Sequence, residues 1–318
     1  MNYYHVDMRL IETLVSQVFP SAPTRIERVM EGVSTYVYRI EYRRETFYLR
    51  ILPEEGASFA PEVAAHNRLR QMQVKVPDVI YFTDQHEALR RSVMITTEIK
   101  GRPVSQCLSL AKDGLNALLV EAGRDLARIN SVGVDGFGWM KHNNTDMEQL
   151  RAQWPTYRAF ALEHWQADLA YLAGTTLRPS EFAMLESIPS SYTSWFEVER
   201  GQLAHGDFDT THIYQEHGRY SGIIDFGELR GANQYYDLGH FHMSDGEMLP
   251  YRALPGLLRG YREAVSLPPD YEQHIYITSI LINVRVLARS LQKRPPTHYT
   301  QHLLQRLRED LTALQSFL

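Results

Sequence analysis

The sequence has one cysteine, Cys107, among 318 residues. An intrachain disulfide framework and a Cys-based zinc site are both excluded. No apolar run approaches the roughly 20 residues that a membrane helix requires. Residues 1–10 carry Asp7 and Arg9 and have no apolar core, so they do not read as a signal peptide. Neither sign of charge dominates: 33 Lys and Arg face 38 Asp and Glu, a net charge of −5. That balance argues against wholesale nucleic-acid binding. Internal repeats and low-complexity tracts are lacking too. The expectation is a globular protein of the cytoplasm that binds neither nucleic acid nor membrane. Oligomeric state is not legible.

What is present changes character near residue 100. Before it, short alternating apolar runs dominate. Residues 37–42 and 47–52 read as a hairpin, followed by a helix over 61–71 and strands near 79–83 and 92–98. Lys100-Gly101-Arg102-Pro103 is a breaker cluster. Beyond it the pattern is mainly helical: 116–130, 149–173, 179–198, 279–291 and 301–318, with 133–138 as a loop and short strands between 203 and 224. The expected class is α+β: a sheet-rich part (1–98), a hinge (99–103) and a larger helical part (104–318), with a ligand cleft at the junction.

One segment carries chemistry. His205-Gly206-Asp207 precedes a short strand at Ile213-Tyr214, and Ile223-Ile224 leads into Asp225-Phe226-Gly227. A two-residue turn at Gly218-Arg219 joins the strands. His212 and Asp225 are equidistant from its centre, so the expectation is that they face each other across the ladder. Cross-strand Cβ atoms lie about 4.5–5.5 Å apart, and an imidazole and a carboxylate at that spacing can share one metal ion. A lone His-Gly-Asp is also common in turns, where Asp accepts local backbone N–H groups. The two motifs together, joined by one hairpin, are harder to assign to turns alone.

This pattern resembles the aminoglycoside phosphotransferase and choline kinase superfamily, small-molecule kinases with a bilobal, protein-kinase-like fold. The match rests on His205-Gly206-Asp207 and Asp225-Phe226-Gly227. It extends over nearly the whole chain: Glu31-Gly32-Val33-Ser34-Thr35 looks like a phosphate-covering loop, and Glu98-Ile99-Lys100-Gly101 looks like a hinge. The family's Asn, five residues after the Asp, is replaced by His212, as in some aminoglycoside 2″-kinases and macrolide kinases. Imidazole suits softer metals better than Mg²⁺.

The resemblance implies a set of roles. Asp207 takes the proton of a substrate hydroxyl. Asp225 and His212 hold Mg²⁺. Gly32, Ser34 and Thr35 cover the phosphates of ATP or GTP. Arg50, paired with Glu62, holds the α- and β-phosphates, and backbone groups near Glu98 and Ile99 meet the base. Asn130 and Asp237 are read as architectural, Asp209 as a turn cap, and Glu228 as a neighbour that supports Asp225.

The implied acceptor is a small hydroxylated molecule, an antibiotic or a metabolite. From residue 231 onward nine basic residues balance eight acidic ones, so no acidic excess advertises a polycationic aminoglycoside. Residues 239–250, with His240 and His242, are expected as a loop that contacts substrate. Two other classes stand beside this reading. One is a nucleotide-binding regulatory protein with a weak kinase fold, motivated by His212. The other is a protein kinase, disfavoured because no Ala-Pro-Glu signature follows Asp225-Phe226-Gly227.

Overall fold

The computed structural model describes residues 7–30, 35–108, 110–141, 143 and 146–317. The chain forms two compact units, divided at Lys100/Gly101, with residues 141–150 and 222–224 counted with the first.

The first unit opens with α1 (Met8–Val18), whose N-terminus Asp7 caps by accepting the Arg9 N–H at 2.9 Å. Strands β1 (Arg25–Val29), β2 (Tyr36–Tyr42) and β3 (Glu45–Ile51) follow, then α2 (Ala60–Gln71), β4 (Val79–Thr83) and β5 (Val93–Thr97). They make a five-stranded antiparallel sheet in the order β1-β2-β3-β5-β4. Strand alternation explains its two faces. Tyr38, Ile40 and Tyr42 of β2 and Phe47, Leu49 and Ile51 of β3 form a core with Ile11, Leu14 and Val15 of α1. Tyr48 and Arg50 stand on the opposite face. Neither α1 nor β1 was read from the sequence.

The second unit contains β6 (Arg102–Pro103), α3 (Lys112–Ile129), β7 (Gly133–Val134), β8 (Phe137–Met140) and β9 (Ala152–Trp154). Then come α4 (Tyr157–Ala161), α5 (Trp165–Ala173), α6 (Pro179–Ser191), β10 (Gly201–Ala204), β11 (Ile213–Glu216), β12 (Arg219–Ile223, whose last two residues count with the first unit) and β13 (Arg230–Ala232). Helices α7 (Tyr236–Ser244), α8 (Leu254–Ala264), α9 (Tyr271–Lys293) and α10 (His298–Gln315) complete it. One sheet has the order β7-β10-β13-β8-β9; β11 is central in a smaller one with β6 and β12. The core gathers on α9, where Ile277, Ile280, Val284 and Leu287 pack with Leu169 and Leu172 of α5 and Leu303 and Leu307 of α10.

Several expectations change. The helix expected over 149–173 is a strand and two helices. Pro155 favours an extended Trp154, and Thr156 caps α4 by accepting the Ala159 N–H. The helix expected over 179–198 stops at Ser191, soon after Pro189 removes a backbone donor. Residues 133–138, expected as a loop, contribute to β7 and β8. Much of the loop expected over 239–250 is α7. Its Leu238, Phe241 and Met243 are buried, and Gly239 lets α7 approach Thr278 of α9 closely.

The hairpin turn also moves by one residue. Its central residues are His217 and Gly218, with φ of 51° and 76°. Two positive φ values suit the twist of adjoining strands. Asp225 therefore stands two positions beyond the residue that the ladder would set opposite His212, so the expected direct pairing does not hold.

Candidate active site

In the second unit, β10 runs straight into His205-Gly206-Asp207. The turn is held by Asp237 in the first turn of α7. Its buried carboxylate accepts the backbone N–H of His205 and of Gly206, each at 2.9 Å. Asn130, just past α3, donates to Asp237 at 2.8 Å and to the Leu203 carbonyl at 2.9 Å. Tyr261 of α8 reaches Asn130 at 3.3 Å. Hydrogen bonds to a charged group contribute about 1.5–3 kcal/mol each, so this network fixes the loop from three helices. Gly206 has φ of 92°, and a Cβ there would collide with the Glu228 carbonyl. His205 is fully buried against Phe226, ring centroids 4.8 Å apart.

The loop aims Asp207 outward, with its side chain 44% exposed. His212 sits beside it. His212 Nδ1 lies 2.6 Å from the Asp207 carbonyl oxygen. A carbonyl only accepts, so Nδ1 carries a proton and, in the neutral ring, Nε2 offers the lone pair. That nitrogen lies 4.0 Å from Asp207 Oδ2 and 3.9 Å from Asp225 Oδ2. His212 and Asp225 thus come together without a direct ladder pairing. Asp225 adopts a left-handed conformation, φ 64°, just past β12. Asp209, Asp207 and His212 also offer ligand atoms within 4.8 Å of one another. Yet Asp209 Oδ1 already accepts the Thr211 N–H at 2.7 Å, which makes it a turn cap. The carboxylate of Asp225 and the imidazole of His212 come within 3.9 Å of each other, and an oxygen and a nitrogen donor so placed fit a divalent cation.

A cavity of about 280 Å³ opens beside Asp207, lined also by Trp139, Tyr157, Phe160, Tyr236 and His240. Its charged groups are mostly paired. Arg230 donates to Glu228 at 2.9 Å and to the Tyr236 hydroxyl at 2.7 Å, and lies 4.1 Å above the Trp139 ring. Arg285 bonds both oxygens of Asp168, at 3.0 and 3.1 Å. Arg289 lines the cavity and has no ion-pair partner among the described residues. Burial raises the Glu228 carboxyl above its usual range; Arg230 opposes this, and the charges of Asp207 and Asp225 add to it.

In the first unit, Arg50 forms an ion pair with Glu62 at the start of α2. His66, one turn along, places Nε2 3.7 Å from Glu62 and is anchored by Nδ1 3.0 Å from the Pro77 carbonyl. Burial alone would raise the Glu62 carboxyl, but Arg50 and then His66 overcome it and hold the carboxyl at about 2. The Glu98 N–H donates to the Thr46 carbonyl at 3.1 Å, so it is not available to a ligand. The Glu98 carbonyl and the Ile99 N–H have no partner among the described residues. Tyr48 donates to the Glu98 carboxylate at 3.3 Å. Thr35 precedes β2 and is half-buried; Gly32 and Ser34 lie outside the described residues.

Sequence reasoning missed Arg230, Trp139, Asp168 and Arg285 as a cavity wall. They come from β13, β8, α5 and α9, and no spacing in the chain connects them. His240 was noticed, but as a loop residue.

The sequence model of the phosphotransferase enzyme family (APH) matches residues 25–274. No curated protein matches this chain. Solved structures do match in fold. The aminoglycoside phosphotransferase APH(4)-Ia superposes with a TM-score of 0.67 at 17% identity, covering 96% of this chain and 99% of that one. The GDP and kanamycin complex of APH(2″)-IIIa gives 0.63 at 15%, covering 96% and 99%. A putative fructosamine-3-kinase from Thermobifida fusca gives 0.62 at 16%, covering 95% and 98%. With four-fifths of its length matched by the family's own sequence pattern, and with the α+β fold of these enzymes, the chain belongs to the phosphotransferase enzyme family.

Proposed function

We propose that this protein is a kinase that transfers the γ-phosphate of ATP or GTP to a hydroxyl of a small molecule. The observation that carries the reading is the position of Asp207. A braced loop presents its carboxylate both to the 280 Å³ cavity and to the lone pair of His212. The acceptor hydroxyl hydrogen-bonds to Asp207. As its oxygen forms the new bond to the γ-phosphorus, the bond from that phosphorus to the β-bridging oxygen breaks, and the hydroxyl proton passes to Asp207. Asp225 and His212 would hold Mg²⁺, which neutralises phosphate charge when bound. Arg50, fixed by Glu62, holds the α- and β-phosphates. Thr35, with Gly32 and Ser34, belongs to the phosphate-covering loop. The Glu98 carbonyl and the Ile99 N–H meet the base.

The cavity supports a compact acceptor. Its volume suits one or two rings, and its walls mix aromatic side chains with paired charges. Glu228 and Asp168 are already engaged by arginines, so of the cavity's carboxylates only Glu163, beside His164, and Asp207 are left for the ammonium groups of an aminoglycoside. Solved relatives are described in complex with ADP or AMP-PNP and hygromycin B, or with GDP and kanamycin. Those ligands are therefore the natural controls. The test is a phosphate-transfer screen with ATP and with GTP over hydroxylated antibiotics and metabolites. A single-ring acceptor is the expected hit, with hygromycin B and kanamycin not turned over. Asp207→Asn should keep nucleotide binding and lower turnover about 10²–10⁴-fold. Full activity in that variant removes Asp207 from the role. Nucleotide binding with no transfer to any acceptor would favour the regulatory-protein reading, and no binding of either nucleotide ends the kinase reading.

A further inference from the structure

His240 lies on α7, one turn beyond Asp237, and is buried at the edge of the cavity. Both of its ring nitrogens are directed at the catalytic loop. Nδ1 is 3.2 Å from the carbonyl oxygen of Phe208, and Nε2 is 3.3 Å from Oδ1 of Asp207. The carbonyl can only accept, so Nδ1 carries a proton. Nε2 then faces a carboxylate oxygen, and that contact is a hydrogen bond when a proton lies between the two atoms. Phe208 directly follows Asp207, so one imidazole grips the backbone and the side chain of adjacent residues.

The two oxygens of Asp207 are thereby made different. Oδ1 is turned to His240, whereas Oδ2 lies toward His212. A carboxylate on a loop, 44% exposed, would otherwise turn freely about its side-chain bonds. The helix that supplies His240 is the one whose Asp237 braces the backbone of the same loop. Helix α7 therefore fixes both where the loop runs and how its carboxylate is turned.

We propose that His240 is the positioning residue of Asp207: it locks the plane of that carboxylate so that its remaining lone pairs meet the acceptor hydroxyl. This rests on the assignment of Asp207 as the proton acceptor. A misplacement of about 1 Å in such a group can cost roughly 10²-fold in rate.

Two measurements on the full-length protein test it. The first is a long-range ¹H–¹⁵N spectrum of histidine-labelled protein, with the His240 signal identified by its loss in His240→Phe. The expected signal shows a protonated Nδ1, and Asp207→Asn shifts the Nε2 resonance while leaving Nδ1 in place. An unprotonated Nδ1, or a spectrum indifferent to Asp207→Asn, overturns the proposal. The second is hydrolysis of Mg-ATP, with water as the acceptor. His240→Phe keeps a flat ring in place but offers no hydrogen bond. It should lower kcat about 10- to 100-fold with KM for Mg-ATP unchanged, and His240→Gln, with a donor near the Nε2 position, should recover part of the loss. Equal kcat in wild type and His240→Phe overturns the proposal. If wild type shows no hydrolysis, the spectrum decides alone. If Asp207→Asn hydrolyses Mg-ATP at the full rate while the spectrum shows the link intact, the assignment of Asp207 has failed and the contact itself has not.

Discussion

At the scale of residues, the site is a matter of which atom keeps a lone pair. His212 Nδ1 donates to the Asp207 carbonyl, so Nε2 is the atom left to a metal. An imidazole donor favours softer ions than magnesium. Wild-type activity should therefore be supported by Mn²⁺ at least as well as by Mg²⁺, and His212→Asn should move the preference toward Mg²⁺. Titrating activity with each ion checks this; an unchanged ratio of half-saturating concentrations would remove His212 from the metal shell. Glu62 gives a second prediction. Its carboxyl is held at about 2 in the folded chain, against roughly 4.3 when unperturbed. The stability this contributes is present above about pH 4.3 and is lost as pH falls toward 2. Thermal melts should show Tm dropping through that window, and Glu62→Gln should lose less across it than wild type. His205, Asp207, Asp225, Arg50 and Glu62 could all be singled out in the sequence because each sits in a local motif. Arg230 and Asp168 could not, because their partners come from other elements.

At the scale of elements, local pattern was informative where one face of a strand or helix is buried. The β2–β3 hairpin, α2, β4 and β5 follow alternation or helical spacing closely. Turn geometry was harder. Gly218 invited a turn centred one residue too late, and the true turn uses His217 in a positive-φ conformation that few side chains adopt readily. Helix α7 was hidden by Gly239 and by a polar run. Its helical state depends on packing against α9, which no local signal announces. Close approach of helices also makes small residues indispensable. A Cβ at Gly260 of α8 would collide with the Val120 backbone of α3. Gly260→Val should lower stability by about 1–3 kcal/mol, measured by urea denaturation, with nucleotide affinity at native temperature little changed. A variant as stable as wild type would mean that these helices can move apart without loss.

At the scale of the whole molecule, ligand binding and folding are linked. A nucleotide that binds only the folded chain stabilises it by about 2.7 kcal/mol at a concentration 100 times its Kd. Tm should therefore rise with ATP or GTP in the presence of Mg²⁺ or Mn²⁺, and EDTA should remove most of the rise. A shift that is indifferent to EDTA would contradict a metal held by Asp225 and His212. The small net charge of −5 gives only a weak general attraction for polycations.

The sequence by itself determined the α+β class, the phosphotransferase resemblance and where the candidate motifs lie in the chain. These are local facts: alternation, helical spacing and short motifs survive in one dimension. Only the tertiary structure decided what those groups touch. It set Asp237 under the backbone of the His205-Gly206-Asp207 loop, turned His212 so that Nε2 faces two carboxylates, and brought His240 from a separate helix to Asp207. It also built the cavity beside Asp207 from separate stretches of chain. A hydrogen bond between residues tens of positions apart depends on packing, and packing is set by the summed burial of many side chains. The lone cysteine shows the same division. Its solitude excluded a disulfide framework and a Cys-based zinc site at once, but only the fold brought the carboxylates of Asp207 and Asp225 to His212.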